Sequence, residues 1–285
     1  MPPPRPRTRA PLPDALPFEY PQHLREAIHD LPQVPGVYIF HGDGELPLYI
    51  GKSVQIRSRV LSHLRNPDEA SLLRQTRAIT HLPTAGELGA LLLEAQMIKA
   101  QQPLKNQRLR RNRQLCAIRL QGERPEVVTT RDVNFATEPH LHGLYRSPRA
   151  ALEGLRDLAD EHRLCLGLLG VERLSPGRAC FRAMVNKCGG ACTGRESPAD
   201  HQARLQAALM QMRLACWPYP GAIAIVEESH GLREFLVVRN WCYLGKATTL
   251  KEARKLDSVA AGFDADGYKI LCGPVLTGGA NIVVL

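Results

Sequence analysis

Gly36-Val37-Tyr38-Ile39-Phe40, a turn at His41-Gly42-Asp43-Gly44, and a return through Leu48-Tyr49-Ile50-Gly51-Lys52-Ser53 make up the stretch whose reading decides the fold. Pro35 stops whatever precedes it, the Val37–Phe40 run favours a strand, and the Gly/Asp turn sends the chain back, so a hairpin with one tyrosine on each arm is predicted. Gly51 frees the backbone, and Ser53 is a suitable N-cap for a helix from Val54 to about Leu64. On that helix Ile56, Val60 and Leu64 recur at core-facing spacing, while Gln55, Arg59 and His63 share another face. That polar face is expected to point back at the hairpin tyrosines.

Working outward, Pro67-Asp68-Glu69 opens a further helical stretch and Ala78–Pro83 alternates as a third strand. Residues 86–101 then form a helix with apolar positions Leu88, Leu91, Leu92, Ala95 and Ile98. At 100° per residue Glu94 lies within about 60° of Leu91 and Ile98, at the edge of the apolar stripe, where a carboxylate is half buried. On the other side, Phe18–Leu31 reads as a short entry helix, and the Pro- and Arg-rich residues 1–17 as a disordered basic arm. The order β-β-α-α-β-α describes a small α+β domain assigned to residues 18–113, a small mixed sheet flanked by helices.

Two tyrosine-bearing strands, an arginine helix, and the run Leu92-Leu93-Glu94 through Ile98-Lys99 to Pro103 and Asn106 resemble the GIY-YIG nuclease family. The resemblance implies metal-dependent hydrolysis of nucleic-acid phosphodiesters. It makes Glu94 the ligand of one Mg²⁺ or Mn²⁺ and either Tyr38 or Tyr49 the general base. Arg59 becomes the holder of phosphate oxygens, and Asn106 the residue that fixes its strand against the site. A phenol titrates near pKa ~10 and needs a nearby cation to act at neutral pH; Lys52 is expected to supply it. His63 stands where UvrC-type members commonly have tyrosine, and a neutral imidazole there can hydrogen-bond or accept a proton.

Composition narrows the partner. The 37 Lys and Arg exceed the 28 Asp and Glu by nine, which favours a polyanion, while only 5% aromatic residues argue against a base-stacking binder of single strands. Between Lys99 and Arg119 there are basic residues and no acid; Lys105, Arg108, Arg110, Arg111 and Arg113 are candidates for tracking DNA phosphates. No apolar run is long enough to span a bilayer and no apolar signal core opens the chain, so a cytoplasmic location is expected.

Residues 114–196 read as a hairpin from Leu115, a helix from Pro148 to about His162, and a cysteine cluster. In the cluster Cys165, Cys180, Cys188 and Cys192 are separated by fourteen, seven and three residues. The glycines of Cys188-Gly189-Gly190-Ala191-Cys192 let the backbone fold tightly around a metal, and four thiolates suit either tetrahedral zinc or a 4Fe-4S cluster. Arg178, Arg182, Lys187 and Arg195 are expected to surround that site and offset its charge. Cys116, Cys216, Cys242 and Cys272 are isolated and read as core residues. Residues 197–285 read as a C-terminal α+β module: a helix over 197–214, strands near 222–227, 234–239 and 242–244, and a helix near 250–259.

Together, residues 30–195 resemble the N-terminal half of UvrC, the nucleotide excision repair endonuclease. That likeness implies incision of one strand 3′ to a lesion in double-stranded DNA, an iron-sulfur cluster on the cysteines, and loading by UvrB. The competing reading is a noncatalytic DNA-binding repair adaptor whose cysteines hold structural zinc.

Overall fold

The computed structural model describes residues 22–106, 115–174, 178–256 and 262–285. The expected basic arm, and Arg108, Arg110, Arg111 and Arg113 of the basic run, lie outside the described residues. The chain divides into two compact units, residues 1–110 and 111–285.

In the first unit, helix α1 (Gln22–His29) precedes the hairpin β1 (Gly36–His41) and β2 (Pro47–Ser53). Helix α2 (Ile56–Leu64), a single 3-10 turn (Pro67–Glu69) and α3 (Ala70–Gln75) lead to β3 (Ala78–Pro83) and α4 (Glu87–Gln101). The strand order is β2-β1-β3 and both pairings are antiparallel, so the sheet is antiparallel throughout rather than mixed. Strand β1 is central and covered on both faces. Val37 and Ile39, with Ile50, pack on Leu93, Met97 and Ile98 of α4. Tyr38 and Phe40 point the other way, onto Leu24 and Ile28 of α1, Ile56, Val60 and Leu64 of α2, and Leu72 and Leu73 of α3. A period of two in the sequence thus sorts the aliphatic side chains to one layer and the aromatic ones to the other.

Helix α2 begins two residues later than the Ser53 cap predicts. Ser53 Oγ accepts the Gln55 amide at 2.9 Å and donates to the Gln55 carbonyl at 2.8 Å, closing a turn on itself. The first helical amides find partners elsewhere: Ile56 N–H donates to the Val34 carbonyl and Arg57 N–H to the Pro32 carbonyl, both at 3.1 Å. Backbone already in place satisfies the donors that a capping side chain would otherwise serve.

In the second unit, β4 (Cys116–Leu120), β5 (Pro125–Thr129) and β6 (Leu141–Tyr145) form an antiparallel sheet of order β5-β4-β6. Helix α5 (Pro148–Glu161) follows, N-capped by Ser147, whose Oγ accepts the Ala150 amide at 3.2 Å. A short α6 (Phe181–Met184) lies in the cysteine region, and α7 (Pro198–Met210) comes after it. Leu205, Ala208 and Leu209 of α7 share one core with Leu155, Leu158 and Ala159 of α5. That packing joins α7 to the residues before it, whereas the sequence reading starts a new module at residue 197.

The last part is a four-stranded antiparallel sheet of order β10-β7-β8-β9, built from β7 (Ile223–Ser229), β8 (Leu232–Arg239), β9 (Cys242–Ala247) and β10 (Ile282–Val284). Helices α8 (Leu250–Leu256) and α9 (Ala265–Leu276) accompany it. Among the described residues no helix is long and apolar enough to cross a membrane.

Candidate active site

Tyr38 on β1 stands opposite Gly51 on β2, and Phe40 opposite Tyr49, so these side chains share one face of the hairpin. A Cβ at position 51 would sit 2.4 Å from the Tyr38 hydroxyl oxygen and 2.8 Å from Cε1 of Tyr49; only glycine leaves room for both phenols. The rings of Tyr38 and Tyr49 are 6.2 Å apart, centroid to centroid. The imidazole of His63 comes down from α2 within 5.3 Å of the Tyr38 ring and 5.6 Å of the Tyr49 ring.

Tyr38 is only 1% exposed, and its hydroxyl lies 2.6 Å from His63 Nε2. On the far side of the ring, His63 Nδ1 lies 2.8 Å from Glu69 Oε2. Burial pushes the Tyr38 phenol well above its ordinary range, with the neighbouring Tyr49 adding to the rise and Arg59 pulling against it. Tyr49 is the more exposed of the two phenols; burial also raises it, helped by the negative charge of Glu94. The guanidinium of Arg59 lies beside the Tyr38 hydroxyl, whose hydrogen bond raises the arginine's affinity for its proton, and Arg59 itself is exposed to solvent. The polar face of α2 therefore does meet the tyrosines.

Glu94 approaches from α4, the helix on the other face of the sheet. Its Oε1 accepts the Lys52 backbone amide at 3.0 Å, directly after Gly51. Burial raises the Glu94 carboxyl, and the Lys52 amide and ammonium act against that rise. With one oxygen taken by an amide, the second oxygen of a half-buried carboxylate is what a hard divalent ion that keeps most of its waters requires, so the donor set fits Mg²⁺ or Mn²⁺. Asn106 completes the frame. Its Oδ1 accepts the Ile50 amide and its Nδ2 donates to the Ile50 carbonyl, both at 2.9 Å, so it acts as one residue of a neighbouring strand against the edge of β2.

Lys52 departs from its expected role. It pairs across β1–β2 with Val37, on the α4 face, and its Nζ donates to Glu87 Oε1 at 2.6 Å. The cation beside the phenols is Arg59. Glu69 and Glu87 were not singled out by the sequence; the only local signal for Glu69 is the Asn66-Pro67 turn, where Asn66 Oδ1 accepts the Asp68 amide at 3.2 Å and fixes the backbone that presents it. Lys105 is exposed at the end of the same domain, its amide donating to the Leu48 carbonyl at 2.7 Å.

In the second unit the ligand atoms of Cys165, Cys180 and Cys192 lie within 4.8 Å of one another, with Cys165 and Cys180 Sγ 3.7 Å apart. Cys188 is buried in the same cluster but stands outside that trio. Gly190 takes a left-handed conformation at φ +81, which is what the paired glycines were expected to permit. Burial raises the Cys180 thiol, while the Ala183 amide, 3.4 Å from its sulfur, lowers it. His201, which the sequence reading passed over, is buried beside the cluster and its Nε2 accepts the Cys165 amide at 3.0 Å. Arg182 is buried and paired with Asp160, while the exposed Arg195 is bonded to the Ala183 carbonyl and, at 2.9 Å, to Asn186 Oδ1. Arg178 and Lys187 are exposed.

Residues 34–107 match the UvrC-like GIY-YIG domain, 115–211 the UvrC/Cho excinuclease middle domain, and 222–285 the excinuclease Cho C-terminal domain. Excinuclease Cho of Escherichia coli strain K12 is 55% identical over 269 residues, covering 94% of this chain and 91% of its own length. The Salmonella typhi excinuclease Cho is 56% identical over 269 residues, 94% of this chain and 92% of its own. The UvrABC system protein C of Caldicellulosiruptor saccharolyticus is 28% identical over 195 residues, covering 65% of this chain and 32% of its own length. Among solved structures, the GIY-YIG N-terminal endonuclease domain of UvrC from Thermotoga maritima, bound to its catalytic divalent cation magnesium, is 34% identical with a TM-score of 0.28, covering 30% of this chain and 98% of that one.

Proposed function

The chain belongs to the excinuclease Cho family, and from that membership we propose that it is a DNA endonuclease of nucleotide excision repair, cutting one strand 3′ to a lesion on duplexes presented by UvrB. The observation that carries the reading is the bond from the Lys52 amide to Glu94, which fastens the acid of α4 to the strand bearing Tyr49, with Arg59 beside the phenols.

Glu94 would hold the divalent ion, which supplies Lewis-acid stabilisation of the scissile phosphate and the leaving oxygen. The chain's own residues do the rest. Tyr49, the phenol nearer solvent, faces the attacking water and takes its proton. Arg59 holds the non-bridging oxygens as negative charge builds on them, a task for a planar fork of donors. Lys52 favours the ionised form of Glu94 through its amide and its nearby charge, while its Nζ is anchored to Glu87. Asn106 keeps the edge of β2, and so Tyr49, in place. Lys105 and the arginines that follow it would track the phosphate backbone without reading sequence.

The thiols Cys165, Cys180 and Cys192, joined by Cys188, would hold a 4Fe-4S cluster, with zinc as the alternative metal. A brown protein absorbing in the visible supports the cluster; a colourless one that releases zinc overturns it.

Nicking of a duplex carrying one lesion, with Mg²⁺ or with chelator, tests the nuclease reading. Arg59→Ala and Glu94→Ala should each lower the rate by roughly a hundredfold or more, with DNA binding nearly intact, as loss of a transition-state contact does. Undiminished nicking by both variants would leave only a noncatalytic DNA-binding role.

A further inference from the structure

We propose that Glu69 is a positioning residue for strand cleavage: it fixes His63 in the tautomer whose bare Nε2 receives the proton that leaves the attacking water through Tyr49 and Tyr38. The inference rests on the nuclease reading above, and the geometry behind it is independent of that reading. A carboxylate can only accept a hydrogen bond, so the 2.8 Å contact to Glu69 Oε2 places the imidazole proton on Nδ1. Nε2 is then left with its lone pair, and the 2.6 Å contact on that side is the Tyr38 O–H donating to it.

This order explains a division of labour between two phenols. Tyr38 is sealed from solvent and cannot meet water, whereas Tyr49 is partly exposed beside it. As the water oxygen bonds to phosphorus, its O–H bond breaks and Tyr49 takes that proton. Tyr49 gives up its own to Tyr38, and Tyr38 gives up its own to His63 Nε2. The bond from phosphorus to the leaving oxygen breaks with its electron pair, and that oxygen takes a proton from solvent. One proton has moved from water to the imidazole, which ends as an imidazolium paired with Glu69, and both phenols end neutral. Burial makes Tyr38 a costly place to leave a negative charge, and His63 Nε2, 2.6 Å from its hydroxyl, is a sink beyond it.

Among the described residues the groups facing His63 come from four elements. The hairpin presents Tyr38 and Tyr49 with the Phe40 ring, the 3-10 turn presents Glu69, and Arg59 lies on the same helix. From α1 and α3 the same core receives Leu24, Ile28, Leu72 and Leu73. Burial lowers the imidazole's affinity for a proton, Glu69 raises it, and Arg59 lowers it again. The ring is therefore neutral and ready to accept near pH 7, and the nicking rate should fall as the pH drops and the ring becomes charged.

The test is single-turnover nicking of a lesion-bearing duplex by the full chain from pH 5 to 8 in Mg²⁺, comparing wild type with Glu69→Gln. The variant should be slower by roughly a hundredfold on the plateau, the scale of general-base catalysis. Its acid limb should also move to lower pH, because the imidazolium has lost its negative partner. DNA binding and thermal melting should stay close to wild type. Nitrogen chemical shifts of His63 in the unmodified protein give a readout that needs no variant, and Nδ1–H is expected. A wild-type rate and an unmoved acid limb in Glu69→Gln, or a proton found on Nε2, would overturn the relay. If Arg59→Ala and Glu94→Ala are inactive while Glu69→Gln behaves as wild type, the relay alone is wrong; if all three nick normally, the nuclease reading itself is.

Discussion

Around Gly51 the polar groups of the candidate active site are held by the chain itself. Glu94 is tied to the Lys52 amide, Ile50 to Asn106 at both backbone atoms, and Tyr38 to His63 and through it to Glu69. Around Cys180 the arrangement is different: the sulfurs of Cys165, Cys180 and Cys192 converge beside Ala183 and Leu168, and Cys180 meets the Cys165 sulfur and the Ala183 amide. A metal at the first site would add chemistry to a fold already closed, whereas a metal at the proposed thiol site would complete the fold. The two units should therefore answer differently to the same chelator.

Disabling the proposed thiol site is the sharpest way to break that contrast, because structural metal sites contribute on the order of 10 kcal/mol to folding. Cys180→Ala, or treatment with a strong chelator, should abolish cooperative melting of residues 115–211 by circular dichroism. The nuclease unit should keep its melting transition under the same chelator and lose only turnover. Equal loss of structure in both units, or in neither, would erase the distinction.

A smaller effect sharpens the picture of the first site as closely packed. Gly51→Ala would place a methyl 2.4 Å from the Tyr38 hydroxyl oxygen, with β1 and β2 locked in register on either side. Overpacking of this kind costs about 1 to 3 kcal/mol, which in a domain of this size lowers the melting temperature by several degrees. Nicking should fall at least tenfold, since the two phenols would be forced apart. Unchanged melting and nicking would mean that the hairpin gives way easily and that the glycine is dispensable.

The same contrast accounts for what the sequence made legible. Strand alternation through Val37–Phe40 and the spacing of Leu92, Glu94 and Ile98 are local patterns, so the hairpin, α4 and the half-buried acid were readable from them. The direction of Lys52 was not, because its partner Glu87 is 35 residues away and only the parity of the hairpin register sends Nζ to the α4 face. Ser53 misled for a related reason: its capping role was usurped by the Val34 and Pro32 carbonyls, which no local pattern announces. Glu69 sits in an ordinary acidic turn and acquires meaning only through the fold that sets His63 against it. Helix α9 was hidden by Pro274 and by its glycines, which lower helix propensity while the packing of Leu271 and Val275 restores it.

The finest discrimination concerns the edge of β2. Asn106 succeeds there because one side chain offers an acceptor to the Ile50 amide and a donor to the Ile50 carbonyl, as a neighbouring backbone would. Asn106→Asp keeps the shape and the acceptor. Ionised, however, it turns a second acceptor toward the carbonyl, and only the protonated acid can donate. The carboxyl in the folded variant is therefore raised above its unfolded value near 3.9. Its contribution to stability is present below that unfolded value and lost as the pH climbs through the folded one. Thermal melts should find the variant close to wild type near pH 4 and weaker by about 1 to 2 kcal/mol at pH 7, the cost of one buried unsatisfied group. A constant gap between variant and wild type across that range would mean that the Ile50 carbonyl does not need its donor. The frame holding Tyr49 would then rest on the Ile50 amide alone.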